Sequence, residues 1–483
     1  MSRRKPPHLA PNTPGGGARQ GAGGQRPPHM ATLVTLLALV PGTAFACALP
    51  PSVILTLPTG LYTTGAAATV AVTALMGAAI HRLPNLAPQL LWERRILLSR
   101  DLTSLFAFIL FAELLLVGFF GARDPMHNLL TLIFWTGVWV ALPLASLLLG
   151  NLWRPINPWY GPVRLIRRLI GHEAGIGLSR AGHWPAVAGY AGFAWFMIVS
   201  LAPHDPFVLA WVALSYYLVV LALAVAEGED WLERGEFLTV FFGYVAKIAP
   251  LWLEPGPTRA RLMGGWPGTQ VLRMAPLDTS AIAFVTLALA VLTFDGLVET
   301  FWWMALTGQN PLEFTGRSAV IGVNTLGLAL SWALTAATIL GALALGRAIS
   351  GSARGFATGP VMLSFLAIAA GYHAAHYLVM LLTAGQYTLA ALNDPLFRGD
   401  ALLGLPPFYV SMGFLADRSV MIGIYSAQFA AILGAHLLAV LLALHLAARG
   451  GGAVRAVAHL PLTTLMVLYT IMGLWLLSTA RIG

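Results

Sequence analysis

Long apolar segments separated by short polar connections recur along most of the chain. Ten such segments lie at 61–80, 102–121, 129–150, 186–202, 207–226, 279–303, 320–346, 360–383, 421–447 and 461–479. A continuous run of about 20 apolar residues can cross the hydrocarbon core of a bilayer as a helix, whereas strands of a membrane barrel alternate. The pattern therefore predicts an all-α fold, a polytopic transmembrane helix bundle of about ten spans within residues 61–483.

A further apolar run, 237–253, is shorter and contains Lys247 and Pro250. If this run crosses the membrane, seven later arginines lie outside the cell; if it does not, those seven lie inside and four others move out. Basic residues concentrate in cytoplasmic loops. The sequence thus predicts a re-entrant or interfacial helix at 237–253, an extracytoplasmic mature N-terminus and a long outer loop at 384–420.

The beginning of the chain differs from the rest. Residues 1–29 are rich in Gly, Pro and Arg and have too little apolar surface to fold, which predicts a disordered basic tail. Residues 30–46 combine the apolar core ATLVTLLALV with Ala44-Phe45-Ala46, a pattern typical of a cleaved signal peptide. An uncleaved first helix and a true start at Met30 are the alternatives.

Composition and charge agree with a membrane protein. Hydrophobic residues make up 58% of the chain and charged residues 10%, too few charges to cover a soluble protein of this length. The net charge of +9 comes from the basic tail and from connections between spans, so it reports orientation and predicts no nucleic-acid partner. A single cysteine excludes a disulfide framework and a cysteine-rich zinc site.

Ionisable side chains inside the predicted spans are the candidates for chemistry. They are Glu113, Asp295, Glu299, His373, His376 and His436. A charge at the centre of a membrane helix costs about 2.5–3.5 kcal/mol on insertion scales, and such residues are usually paired and functional. Asp295 and Glu299 are four residues apart, so they share one helix face. His373 and His376, three residues apart, share another.

These groups also agree in depth. At about 1.5 Å per residue, Asp295, His373 and His376 lie roughly 20–24 Å from the cytoplasmic ends of their helices. Glu113 and His436 lie about 17 Å from theirs. Imidazoles and carboxylates together suit a divalent transition metal such as zinc, iron or manganese. The predicted metal ligands are Asp295, His373, His376, Glu113 and His436. Glu299, nearer the outer surface, is the predicted general base for a metal-bound water.

Two other interpretations of the same residues are open. The side chains could carry protons or a metal ion along a pathway through the membrane. Alternatively, Asp295 and His376 could form an interhelical pair that satisfies both groups and has no chemical role.

Three segments resemble a known family. They are GNLWRPINPWYGPVRLIRR (150–168), FDGLVETFWW (294–303) and GYHAAHYLV (371–379). These segments are similar to bacterial multi-pass membrane proteins known as fenitrothion hydrolases, and the resemblance spans roughly 120–480. It implies hydrolysis of an organophosphorus triester with release of a nitrophenol, and it assigns no residue a role.

The sequence and the resemblance together favour a metal-dependent hydrolase embedded in the bacterial inner membrane. Its expected partners are the lipid bilayer and a lipophilic ester that enters near the outer face, with 384–420 as a lid. A transporter or channel for protons or a divalent metal is the second hypothesis. An assembly or scaffold protein of the cell envelope, in which the polar residues are structural, is the third.

Overall fold

The computed structural model describes residues 59–79, 86–96, 98–256, 258–310, 316–350, 358–404, 406, 409–449 and 456–479. Helices account for most of these residues, which confirms the predicted helical bundle, and one small antiparallel sheet is added to it. The predicted basic tail, 1–29, and the predicted signal peptide, 30–46, lie outside the described residues.

In chain order the helices are α1 (Thr59–Ala79), α2 (Arg100–Phe120), α3 (Leu129–Leu149), α4 (Trp153–Ile156), α5 (Tyr160–Ile170), α6 (Trp184–Ile198), α7 (Pro206–Glu227), α8 (Leu232–Gly235), α9 (Phe237–Val245), α10 (Thr279–Val298), α11 (Phe301–Leu306), α12 (Arg317–Ser350), α13 (Thr358–Asn393), α14 (Arg418–Arg449) and α15 (Leu460–Ser478). The strands are β1 (Gln89–Arg95), β2 (Leu251–Pro255) and β3 (Arg259–Gly264). Eight of these helices are long and apolar enough to span a membrane: α2, α3, α7, α10, α12, α13, α14 and α15.

Some predicted spans have other bounds in the structure. The predicted span 186–202 corresponds to α6, whose 15 residues extend about 22 Å, less than the hydrocarbon thickness of about 30 Å. The predicted span 279–303 is interrupted after Val298, because the Thr300 hydroxyl accepts a hydrogen bond from the backbone of Trp303 and begins α11.

The outer loop predicted at 384–420 is shorter in the structure. Helix α13 continues to Asn393, and α14 already begins at Arg418. The α13 helix ends where Asp394 precedes Pro395, since a residue before proline is disfavoured in the helical conformation. The connection between the two helices is therefore 394–417.

The antiparallel sheet was not predicted. Its strand order is β1-β3-β2, and β1 follows α1 whereas β2 and β3 follow α9. The apolar run 237–253 is a short helix as expected, but the helix and the 3₁₀ turn after it end at Ile248, and β2 begins at Leu251. The sequence Pro-Gly-Pro at 255–257, between two short runs with alternating burial, was the available signal for a hairpin.

The sheet shows which connections lie at the same end of the bundle. Because β1 pairs with β3, the connections after α1 and after α9 lie at the same end, which we call the base. The opposite end is the rim. Helix α9 enters and leaves at the base: Thr239 near its start accepts a hydrogen bond from Asn157, and Ile248 after its end binds the backbone of Gly268. Helix α9 therefore does not cross the bundle.

A buried carboxylate begins α9. Glu236 has no exposed surface, and its oxygens accept hydrogen bonds from the backbone N–H groups of Leu238, at 2.9 Å, and Thr239, at 2.6 Å. The Tyr216 hydroxyl donates to the same carboxylate at 2.6 Å. Asn157 in turn donates to the Thr239 hydroxyl at 2.9 Å. These bonds hold α9 inside the bundle, where almost all of its side chains are buried.

Close packing of α13 on α14 depends on a glycine. A Cβ placed at Gly371 would overlap the side chain of Ala435 and lie 3.0 Å from the Ala431 carbonyl oxygen. We expect Gly371→Val to force the helices apart and lower the free energy of unfolding by roughly 1–3 kcal/mol. The measurement is the thermal unfolding midpoint in detergent. Gly385→Val is the control on the same helix, because its nearest neighbouring atom is 3.9 Å away; an equal loss in both variants would contradict the prediction.

Candidate functional site

Asp295 of α10 and His376 of α13 meet inside the bundle. The Nε2 atom of His376 lies 2.8 Å from Oδ2 of Asp295, and both side chains are largely buried, with exposed fractions of 7% and 18%. A carboxylate only accepts hydrogen bonds, so Nε2 donates to Asp295, and in a neutral imidazole Nδ1 is then the nitrogen that can accept. Nδ1 is buried and has no hydrogen-bond partner.

Tyr377 completes this contact. Its hydroxyl donates to Oδ2 of Asp295 at 2.8 Å, so this one carboxylate oxygen accepts hydrogen bonds from both His376 and Tyr377. The rings of His376 and Tyr377 lie edge to face with centroids 4.6 Å apart, and the Tyr372 ring stacks on the imidazole with centroids 6.0 Å apart. We call Asp295, His376 and Tyr377 the acid–imidazole cluster. Tyr377 was not singled out from the sequence, although it directly follows His376.

His373 lies beside the cluster but has a different partner. Its Nε2 donates to the backbone carbonyl of Trp139 at 2.9 Å, which leaves Nδ1 unprotonated, buried and without a hydrogen-bond partner. The Trp139 carbonyl is available because the residue four positions later is Pro143, which has no N–H to donate. The middle of α3, from Ile133 to Ala141, is π-helical. Such turns occur frequently at functional sites.

The other predicted ligands stand elsewhere. Glu113 projects from the exposed face of α2 and makes no hydrogen bond or ion pair with any described residue. His436 of α14 is buried, and its Nδ1 donates to the Ile432 carbonyl at 2.8 Å, one helical turn earlier. Glu299 is the residue after the end of α10, towards the rim, and is half-buried. The structure therefore brings together Asp295 and His376, with His373 adjacent, and leaves Glu113 apart.

The predicted metal needs several ligand side chains that converge on one point. Across the part of the chain that the structure describes, no group of three or more His, Cys, Asp or Glu side chains is arranged to hold a metal ion. A catalytic zinc site needs three protein ligands, and Oδ2 of Asp295 is already engaged by two hydrogen bonds. Among the described residues the predicted ligands thus form no three-ligand set, and the metal stays a prediction.

Aromatic side chains close the site towards the base. The His373 ring lies 5.4 Å from Phe241 of α9 and 5.2 Å from Trp139, and Trp139 stacks on Phe241 at 5.1 Å. Tyr190 and Phe237 stack next to them at 5.8 Å. All of these side chains are buried. The short helix α9, held by Glu236, therefore supplies the floor of the site.

A histidine in the segment between α6 and α7 faces the site from the rim. The His204 ring lies 5.3 Å from Trp135, whose indole N–H donates to the Pro203 carbonyl at 3.2 Å. Burial, together with the positive charge of Arg317, lowers the pKa of His204 to about 4, although the charge of Asp295 acts in the opposite direction. His204 is therefore neutral at pH 7, and its Nδ1 has no hydrogen-bond partner.

The depressed pKa of His204 predicts an acid-sensitive fold. At pH values between 6.5, the ordinary pKa, and about 4, His204 is protonated in the unfolded chain but neutral in the folded chain. Stability is therefore complete above pH 6.5 and falls as the pH is lowered towards 4. We expect His204→Gln to lose less stability than the parent between pH 7 and 4.5, as measured by the unfolding midpoint at each pH. His127→Gln, at an exposed rim histidine, is the control; identical pH dependence in parent and His204→Gln would contradict the assignment.

Comparison with protein-family models, with curated proteins and with solved structures finds no match to this chain.

Proposed function

We propose that the chain is a membrane-embedded hydrolase of a lipophilic ester, in which His376 is the general base. The observation that carries the proposal is the geometry of this imidazole: Nε2 lies 2.8 Å from Asp295, while Nδ1 is buried and has no hydrogen-bond partner. An imidazole oriented by a carboxylate on one nitrogen is suited to accept a proton on the other. The fenitrothion-hydrolase resemblance supports an organophosphorus triester as the substrate class.

The proposed reaction is direct attack by water. His376 Nδ1 takes a proton from the water as its oxygen bonds to phosphorus, and the bond from phosphorus to the aryl oxygen breaks to release a nitrophenolate. The imidazolium that forms is stabilised by the Asp295 carboxylate 2.8 Å away. Tyr377 donates to the same carboxylate and keeps its oxygen in place. The proton then returns to water at the rim.

The aromatic floor favours this function over transport. A route for protons or metal ions needs polar groups through the full depth of the membrane. Below the acid–imidazole cluster, Trp139 stacks on Phe241 at 5.1 Å and lies 4.6 Å from Phe193, which stacks on Phe237. A site that aromatic rings close towards the base suits an enzyme that takes its substrate from the outer leaflet.

The proposal is tested with purified protein in liposomes. We expect release of nitrophenol from fenitrothion, no release from the charged, water-soluble nitrophenyl phosphate monoester, and a loss of about 10²-fold or more in His376→Gln. EDTA is expected to leave the rate unchanged. No release above empty liposomes would contradict the proposal. Release that EDTA abolishes would mean that a metal, and not the imidazole, activates the water. Acidification of the lumen without substrate turnover would favour the transporter.

A further inference from the structure

Helix α2 presents a continuous exposed face. Of the eight long helices, α2 buries the smallest share of its residues. Its exposed residues are Leu102, Phe106, Ile109, Leu110, Glu113, Leu116 and Phe120. Apart from Leu110, which adjoins Ile109, they recur every three or four positions. Residues with this spacing lie on one side of a helix. We call this set the α2 face; all of its members except Glu113 are apolar.

Glu113 lies near the middle of the α2 face. It is an exposed carboxyl about 20 Å along a helix of 21 residues, and no described residue offers it a hydrogen bond or an opposite charge. A carboxyl facing hydrocarbon at this depth is costly, and in membrane proteins such groups are almost always paired. Within the part of the chain that the structure describes, the α2 face is therefore incomplete, and the group it lacks is a hydrogen-bond partner for Glu113.

A second copy of the chain supplies that partner through symmetry. Both copies have the same orientation in the membrane, so the axis of a two-fold dimer lies along the membrane normal. Two α2 helices that pack across this axis run parallel, and each residue faces the same residue of the other copy. Any such pairing of the α2 faces brings the two Glu113 carboxyls together.

We propose that the chain forms a two-fold homodimer through the α2 face, in which the two Glu113 carboxyls share one proton. The protonated carboxyl donates to the ionised one, so each group satisfies the other without a further component. The apolar residues extend three and seven positions on either side of Glu113, which surrounds the pair with packing contacts above and below. This inference does not depend on the proposed hydrolase activity.

Cysteine cross-linking in membranes tests the interface. Cys47, the one cysteine of the chain, is first replaced by serine. We expect oxidation to join the copies of Leu116→Cys and of Ile109→Cys, because paired residues near the axis come within disulfide range. Leu334→Cys is the control on α12: it is 63% exposed, against 57% for Leu116, but lies on a different helix. Equal cross-linking at all three positions, or none at the first two, would overturn the proposal.

Variants at Glu113 test the shared proton. Glu113→Gln keeps a donor and an acceptor and is expected to retain the dimer, whereas Glu113→Leu should weaken it roughly 3- to 30-fold. The dimer fraction is measured by single-molecule photobleaching in liposomes over a series of protein-to-lipid ratios. Because residue 113 is exposed on the single chain, all variants should keep the thermal unfolding midpoint of a folded monomer. A monomer at every ratio, or a Glu113→Leu dimer as stable as the parent, would sink the inference.

Discussion

Replacing Asp295 by asparagine is expected to lower ester turnover by about 10²–10⁴-fold while the bundle remains folded. The amide oxygen can still accept a hydrogen bond from Tyr377, so the contact between α10 and α13 is preserved. The amide has no charge, however, and cannot stabilise the imidazolium that His376 becomes when it takes the proton from water. The measurement is nitrophenol release by wild type and variant in the same liposomes, at saturating and at low substrate.

Controls for this prediction separate chemistry from structure. Asp417→Asn removes an exposed rim carboxylate that caps α14 and touches no member of the acid–imidazole cluster, so its turnover should match the parent. Tyr377→Phe keeps the ring and the charge of Asp295 but loses one hydrogen bond, so its turnover should fall between the other two. If Asp295→Asn hydrolyses the ester within threefold of wild type, Asp295 has no part in the reaction.

The helical content and the Asp295–His376 contact could both be predicted from sequence. Long apolar runs leave little choice but helices, because every backbone group in lipid must be satisfied within its own segment. Asp295 and His376 were linked because each is costly alone at that depth, and the structure places them 2.8 Å apart. The same reasoning grouped Glu113 with them, but depth along a helix does not report which way a side chain points. The exposed face of α2 could be recognised only from its packing.

The remaining parts of the site depend on contacts between residues distant in sequence. The Trp139 carbonyl accepts a hydrogen bond from His373, 234 residues later in the chain. This carbonyl is available because of Pro143, which in the sequence looks like any other proline inside a span. Similarly, nothing in the run 237–253 indicates that Phe241 closes the floor below His373. Sequence periodicity describes one element at a time, so it does not reach these pairings.

Replacing Glu236 by alanine is expected to lower the free energy of unfolding by about 3 kcal/mol or more. The substitution leaves four donors without this acceptor: the backbone N–H groups of Leu238 and Thr239 and the hydroxyls of Thr239 and Tyr216. Each unsatisfied group costs about 1–3 kcal/mol. Glu236→Gln keeps one accepting oxygen, so its loss should be smaller. The measurement is the unfolding midpoint of each variant in the same detergent.

The matched control for this cap is a carboxylate three residues earlier. Glu233 is 45% exposed and pairs with Arg100 at 3.3 Å, and a surface pair of this kind contributes about 0–1 kcal/mol. Glu233→Ala should therefore change stability little. Because Glu236 fixes α9, and α9 carries Phe241 beneath His373, we also expect Glu236→Ala to lower turnover in the fraction that stays folded. Equal stability of the two alanine variants would mean that α9 is held by its apolar packing alone, and the floor of the site would then not depend on this carboxylate.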